Sequence, residues 1–208
     1  MSNEKEIQLN NKPVNEFEDL FGQLPPLQQD HSHRVAHCSK IISDELQRTI
    51  KIPTNIQKQC SPEFIYFGSM CHDIGKILIP PQSEKTEHKR HPVFGTILLK
   101  KYESVVFDSD IEKRTVLEIV KSHHEQPDGK GYPDGLSGEY IPIHAGICGV
   151  ANELDYFLFK ENLSKRDTNE ALNYFQDNGG TVFFESIVYS LGKVWNEILA
   201  VYRTWTVK

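Results

Sequence analysis

His72-Asp73-Ile74-Gly75-Lys76 closes the apolar run Phe64-Ile65-Tyr66-Phe67-Gly68-Ser69-Met70-Cys71, and the reading of this stretch decides the fold. An imidazole and a carboxylate stand side by side at the end of a segment that must be buried. A lysine follows three residues after the aspartate. Burying all three without partners costs several kcal/mol, so something must neutralise them. A lone His-Asp pair is usually a polar helix cap. Here it has company: His31, His91, His123 and His124 each fall at a helix start, at a helix end or on an apolar helical face. Six potential ligands, spread along the chain yet aimed inward, point to a metal centre assembled from several helices.

Working outward toward the N-terminus, His31, Val35, Cys38, Ile42 and Leu46 are spaced by four, three, four and four residues. That is one continuous stripe of a helix expected from about Leu27 to Gln47, with His31 on its buried face. His33 and His37 lie off the stripe and are assigned no role. Phe17, Leu20 and Phe21 form a short apolar patch ahead of it, within a lead-in expected over residues 1–26 that is too small for a separate sensor domain. Residues 27–208 are read as a single domain.

Working outward toward the C-terminus, Pro53 breaks the chain, and a helix from about Pro62 delivers His72 and Asp73 at its end. Residues 83–90 are almost wholly polar and read as an exposed loop. Proline at the first helical position then makes His91 the expected N-cap of the next helix. A helix over about Ile111 to His124 turns Val116, Ile119 and Val120 inward and ends on His123-His124-Glu125. Adjacent helical residues point about 100° apart, so both imidazoles reach one site only if it lies at the helix end. The stretch from Glu125 to Ile141 is dense in Gly, Pro and Asp and too long for a simple connector, which marks a lid or binding loop.

After Pro142 comes a helix that is apolar nearly all round, hence buried. Asn152 and Asp155, three apart on it, must find partners inside. Two further helical segments follow, separated by the stop Asn178-Gly179-Gly180. The last carries the packing stripe Ile187, Leu191, Val194, Ile198 and Val201, with Trp195 beside it. No strand-like alternation and no repeat is visible, and the fold class is all-α.

Composition narrows the function. The chain has 208 residues and a net charge of -6, which argues against a nucleic-acid-polymer binder or a basic membrane-surface protein. No apolar stretch reaches bilayer-spanning length, and the start is unlike a signal peptide, so a cytoplasmic location is expected. Four cysteines (Cys38, Cys60, Cys71, Cys148) have no paired spacing and read as buried thiols.

Imidazoles with carboxylates suit iron, manganese or zinc better than magnesium or calcium. Five histidines and an aspartate are too many for one catalytic ion, which keeps a position open. A two-metal site fits, with Asp73 bridging and a bridging hydroxide as nucleophile, since metal binding lowers the pKa of water from about 15.7 to around 7. Lys76 would bind a phosphoryl oxygen and offset charge in the transition state. This chemistry hydrolyses a phosphate ester or diester.

The sequence resembles the HD-GYP subgroup of the HD-domain metal-dependent phosphohydrolases. The resemblance rests on His31-Ser32-His33-Arg34-Val35, His72-Asp73-Ile74-Gly75-Lys76, His91-Pro92-Val93-Phe94-Gly95, His123-His124-Glu125 and the signature loop Asp128-Gly129-Lys130-Gly131-Tyr132-Pro133-Asp134-Gly135-Leu136, in that order. It covers roughly residues 27–180. It implies an HD-domain helical bundle with additional C-terminal helices, two divalent ions (iron or manganese) and hydrolysis of cyclic di-GMP or a related cyclic dinucleotide in bacterial signalling. By the same resemblance His31, His72 and Asp73 serve one metal, while Asp73, His91, His123 and His124 serve the other. Lys76 faces the phosphate, and Gly131, Tyr132 and Pro133 line the substrate or meet protein partners.

The departures are specific. The family ends its ligand set with aspartate in Val-Ala-Asp, where this chain has Val150-Ala151-Asn152, so Asn152 is a weakened ligand position. Members with a third metal carry a glutamate four residues before the first histidine; Leu27 stands there, so two metals at most are expected. The basic Arg-Pro-Tyr-Arg stretch of the family aligns with Glu161-Asn162-Leu163-Ser164, and Gly146 replaces an arginine. Two alternatives follow: a degenerate member acting as a signalling scaffold, and a hydrolase of another nucleotide phosphoester.

Overall fold

The computed structural model describes residues 16–49, 59–160 and 168–205. The Pro53 break, the Glu161–Ser164 stretch and the first fifteen residues of the lead-in lie outside the described residues. Nine helices carry the described fold: α1 (Phe17–Phe21), α2 (Pro26–Thr49), α3 (Pro62–Cys71), α4 (His91–Lys101), α5 (Asp110–Ser122), α6 (Ile143–Asp155), α7 (Thr168–Asp177), α8 (Glu185–Lys193) and α9 (Trp195–Thr204). Single turns of helix at Lys85–His88 and Glu103–Val106, and 3-10 turns at Ile74–Leu78 and Gly138–Tyr140, fill the connections. Among the described residues there is no strand, only an isolated bridge between Gly179 and Phe183. The fold is all-α, as the periodicity indicates. No described helix is long and apolar enough to cross a membrane.

α2 is the axis. Its stripe is buried as the spacing requires, with Val35, Cys38 and Ile42 fully inside and Leu46 nearly so. Around it pack α3, α6, α8 and α9. Ile147, Val150, Ala151 and Leu154 of α6, Ile187 and Leu191 of α8 and Ile198 and Tyr202 of α9 complete this larger core. A second core joins Leu20, Phe21 and Leu24 to Cys71, Ile74, Leu98, Leu99, Val116 and Val120. The four cysteines are free and buried.

Three details differ from the sequence reading. The stripe from Ile187 to Val201 is two helices rather than one, broken at Val194, whose φ of -101° and ψ of 13° leave the helical region. His91 is the first residue of α4, with Arg90 as its N-cap and Pro92 second. Proline suits either of the first two helical positions, because neither N–H has an intrahelical partner. The polar stretch 83–90 holds a helical turn, although its residues are mostly exposed.

The 3-10 turn Ile74–Leu78 is what brings Asp73 and Lys76 against the start of α4. Gly75 permits this approach: a Cβ there would lie 2.1 Å from the His91 carbonyl oxygen and 2.4 Å from the Gly95 nitrogen. Both obstacles are backbone and cannot rotate away. Gly75→Ala is therefore expected to lower Tm by roughly 3–10 °C, from an overpacking cost of about 1–3 kcal/mol. A thermal melt by circular dichroism checks it; an unchanged Tm would mean the turn and α4 separate freely.

Candidate metal centre

The ligand cluster forms where the ends of four helices meet. His31 projects from the first turns of α2, and His72 and Asp73 follow the last residue of α3. His91 begins α4, while His123 and His124 follow α5, which stops at Ser122. Both imidazoles of the last pair reach the site because the helix has already ended. His31, His72 and Asp73 form one group of possible metal ligands and His91, His123 and His124 another, the ligand atoms within each lying no more than 4.8 Å apart. Asp73 stands between the two groups. Its Oδ2 lies 3.2 Å from His72 Nε2 and 3.5 Å from His31 Nε2, and its Oδ1 lies 3.0 Å from His91 Nε2.

The ring orientations are set from behind. His72 Nδ1 is 2.7 Å from the Ser69 carbonyl, His91 Nδ1 is 2.7 Å from the His88 carbonyl and His123 Nδ1 is 3.0 Å from the Val120 carbonyl. His31 Nδ1 lies 2.7 Å from Asp155 Oδ2. Each Nδ1–H donates to its oxygen, so each Nε2 presents a lone pair inward, the arrangement by which neighbouring groups orient metal-ligating histidines. The consequence is that His31 and His72 Nε2 face each other at 3.2 Å, as do His91 and His123. Two lone pairs at that distance repel unless a cation lies between or beside them. Asp73 Oδ1 is fully buried and has no hydrogen-bond partner among the described residues. These features fit divalent ions, one beside each ligand group.

Electrostatics point the same way. Burial pushes the His72 and His123 pKa values down, with neighbouring imidazoles adding to the fall at His123. Burial likewise drives His124 down to about 3. Neutral imidazoles are metal ligands; protonated ones are not. Burial opposes charge on Asp73 too, but His72, Lys76 and His91 outweigh it and hold the carboxyl well below its ordinary range. Asp73 Oδ2 also accepts hydrogen bonds from Gln28 Nε2 at 2.6 Å and Lys76 Nζ at 2.5 Å.

Asp155 finds its inside partners in His31 and in Arg34, whose guanidinium donates to both its oxygens at 2.7 and 3.0 Å. Arg34 is stacked against Phe159, with 3.5 Å from its Cζ to the ring centroid. Asn152 lines the same cavity of about 470 Å³ as His31, Lys76 and His124. In the signature loop, the Tyr132 ring stacks on His124 with 4.5 Å between centroids and 18° between planes. Gly131 lets the loop close down, since a Cβ would meet the His124 oxygen, the Glu125 Cα and the Gln126 nitrogen at 2.5 Å. Pro133 follows through a cis peptide bond. His33 packs edge-on against Phe21, and His37 against Tyr66 and Trp205, away from the ligand cluster.

Three participants escaped the sequence reading. Gln28 is one, although its place three residues before His31 puts both on one helical face. The orienting role of Asp155 is another; only its need for a partner was visible. Glu125 is the third: its carboxylate accepts from the Asp134 and Leu136 amides at 2.7 and 2.9 Å and so ties down the loop. No local sequence signal marks that contact.

Residues 29–156 match the HD domain family model. A "Cyclic di-GMP phosphodiesterase" of Thermotoga maritima is 29% identical over 83% of this chain and 46% of its own length. The "Cyclic di-GMP phosphodiesterase response regulator RpfG" of Xanthomonas campestris pv. campestris is 35% identical over 72% of this chain and 39% of its own. The chain thus spans less than half the length of these relatives. Among solved structures, Bd1817, an HDG"Y"P protein of Bdellovibrio bacteriovorus, aligns with a TM-score of 0.56 at 20% identity, covering 80% of this chain and 51% of that one. At that identity the likeness concerns the fold.

Proposed function

The chain belongs to the HD-domain family, and we propose that it is of the HD-GYP subgroup whose motifs it carries and hydrolyses a phosphodiester bond of cyclic di-GMP or a related cyclic dinucleotide with two divalent ions, iron or manganese. The observation that carries this reading is two groups of imidazoles with Asp73 between them, touching His31 and His72 of one and His91 of the other, and with the Lys76 ammonium on the same carboxylate. His31, His72 and Asp73 would hold one ion, with Asn152 as its weak further ligand; Asp73, His91, His123 and His124 would hold the other. Such ions supply Lewis acidity and a water of lowered pKa.

The chain's own residues do the rest. Lys76 lines the cavity of about 470 Å³ beside the ligand cluster and is one-third exposed there, free to turn from Asp73 toward a phosphoryl oxygen. Its charge then opposes the negative charge that builds up during displacement. Asp155 fixes the His31 ring, and Tyr132 fixes the His124 ring, so neither ligand spends energy on ordering when substrate arrives. Glu125 keeps the loop that carries Tyr132 in place.

Protein purified under low oxygen and reconstituted with iron(II) or manganese(II) is expected to convert cyclic di-GMP to a linear dinucleotide or mononucleotide, followed by chromatography. Absence of turnover on every cyclic dinucleotide tried, with metal bound, would overturn the reading. The amide at Asn152 favours a second one, a scaffold that has lost efficient hydrolysis and meets partners through Gly131-Tyr132-Pro133. Asn152→Asp separates the two: an impaired catalyst gains turnover of about tenfold or more, since ligand charge tunes metal affinity and acidity, whereas a scaffold gains none.

A further inference from the structure

We propose that Glu153 is a specificity-determining residue of this site, accepting the N1–H and N2–H2 donors of a guanine base that stacks on Tyr156. The proposal rests on the cyclic-dinucleotide reading for its class of ligand and names the base that the pocket selects.

Gly149, Asn152, Glu153 and Tyr156 recur at three- and four-residue spacing and so share one side of α6 and of the wider helical turn Tyr156–Lys160 that continues it. That side is turned to the ligand cluster: a Cβ on Gly149 would lie 2.6 Å from the His123 carbonyl oxygen. Two cavities open along it, one of about 470 Å³ that also touches His31 and Lys76, and one of about 150 Å³ reaching Tyr174 and Phe184. His124, Asn152 and Glu153 line both. Glu153 is therefore part of the wall that the reacting end of the site shares with an aromatic-lined recess.

Glu153 is only partly exposed and forms no ion pair among the described residues. Burial raises its pKa, and the Tyr174 hydroxyl beside it is its one neighbouring donor among the described residues. A carboxylate has roughly four lone-pair positions, so one donor leaves most of its capacity unused. At the same cavity Leu27 is 70% exposed and Tyr156 48% exposed, although both are large and apolar in their contact surface. An aromatic face and an aliphatic side chain at the mouth, with a sheltered acceptor-only group on the wall, suit a flat ligand with two adjacent donors on one edge.

Guanine has that edge. Its N1–H and N2–H2 groups point the same way and match the two oxygens of a carboxylate in paired, charge-assisted hydrogen bonds. Adenine offers a lone pair at N1, which the carboxylate repels. A site that binds a donor in this way rejects the analogue lacking it, because the acceptor is left buried and unpaired.

The test uses the full chain with metal restored, measuring dissociation constants for cyclic di-GMP and cyclic di-AMP by calorimetry at low temperature. Wild type is expected to favour the guanine dinucleotide by about ten- to a hundredfold. Glu153→Gln is expected to collapse that ratio, while Glu153→Asp, which keeps the carboxylate, retains the preference in the same direction. Tyr156→Ala weakens both ligands, by about tenfold each, since stacking does not distinguish bases. A wild-type ratio near one, or a ratio that Glu153→Gln leaves standing, overturns the proposal. Wild-type turnover of bis(p-nitrophenyl) phosphate, which carries no base, reports on the hydrolase reading separately. Its absence would sink that reading, and the base preference would still be read from the dissociation constants.

Discussion

Asp73→Ala is expected to reduce phosphodiester turnover by about a thousandfold or more, equivalent to about 4 kcal/mol of lost transition-state stabilisation. Asp73 is the carboxylate between the two histidine groups, with one oxygen toward His31 and His72 and the other toward His91. Without it, only imidazoles remain in the two groups, and no anion among them balances the charge of two divalent ions. Metal content is expected to fall together with turnover. The fold is expected to survive, because Lys76 is one-third exposed and can move its ammonium into water once its partner is gone. Steady-state kinetics with elemental analysis of the same sample checks both halves. Full activity with metal still bound would mean that the ions are held elsewhere.

The second large effect is on stability. Asp155→Ala leaves the Arg34 guanidinium, 2% exposed, without its carboxylate. Breaking a buried pair by removing one partner costs about 3–5 kcal/mol, which corresponds to a fall in Tm of roughly 10 °C for a chain of this length. Removing both charges with Arg34→Met and Asp155→Leu together is expected to recover much of the loss. The pH dependence carries a sign. Burial raises the Asp155 pKa, but hydrogen bonds from His31 and Arg34 outweigh it, so the folded value lies below the usual carboxylate range. The stabilisation is then fully present above an unfolded pKa of about 3.9 and is lost as pH falls through the folded value. Urea melts of wild type and Asp155→Ala should therefore converge in strongly acidic solution. Curves that stay equally far apart there would assign the loss to packing rather than charge.

How far this was legible in the sequence depends on the range of each interaction. The α2 stripe and the convergence of the six candidate ligands were readable because helical periodicity and the ends of apolar runs are local signals. The break at Val194 was not, since Ile187 to Val201 keeps its spacing through it and no proline or glycine stands at the break itself. Gln28 was within reach by its spacing from His31. The bond from Asp155 to His31 joins residues 124 apart in sequence, and nothing in either local pattern names the other. Glu125 belongs to the same class: its two backbone bonds depend on where a loop returns. Periodicity told which faces are buried, while long-range pairing needed coordinates.

The most direct test of the account is the metal content of protein purified without added metal under low oxygen, determined by elemental mass spectrometry. Two ligand groups sharing Asp73 predict close to two iron or manganese ions per chain. One ion or none, unchanged by reconstitution, would contradict the binuclear site and leave the converging imidazoles without the chemistry assigned to them.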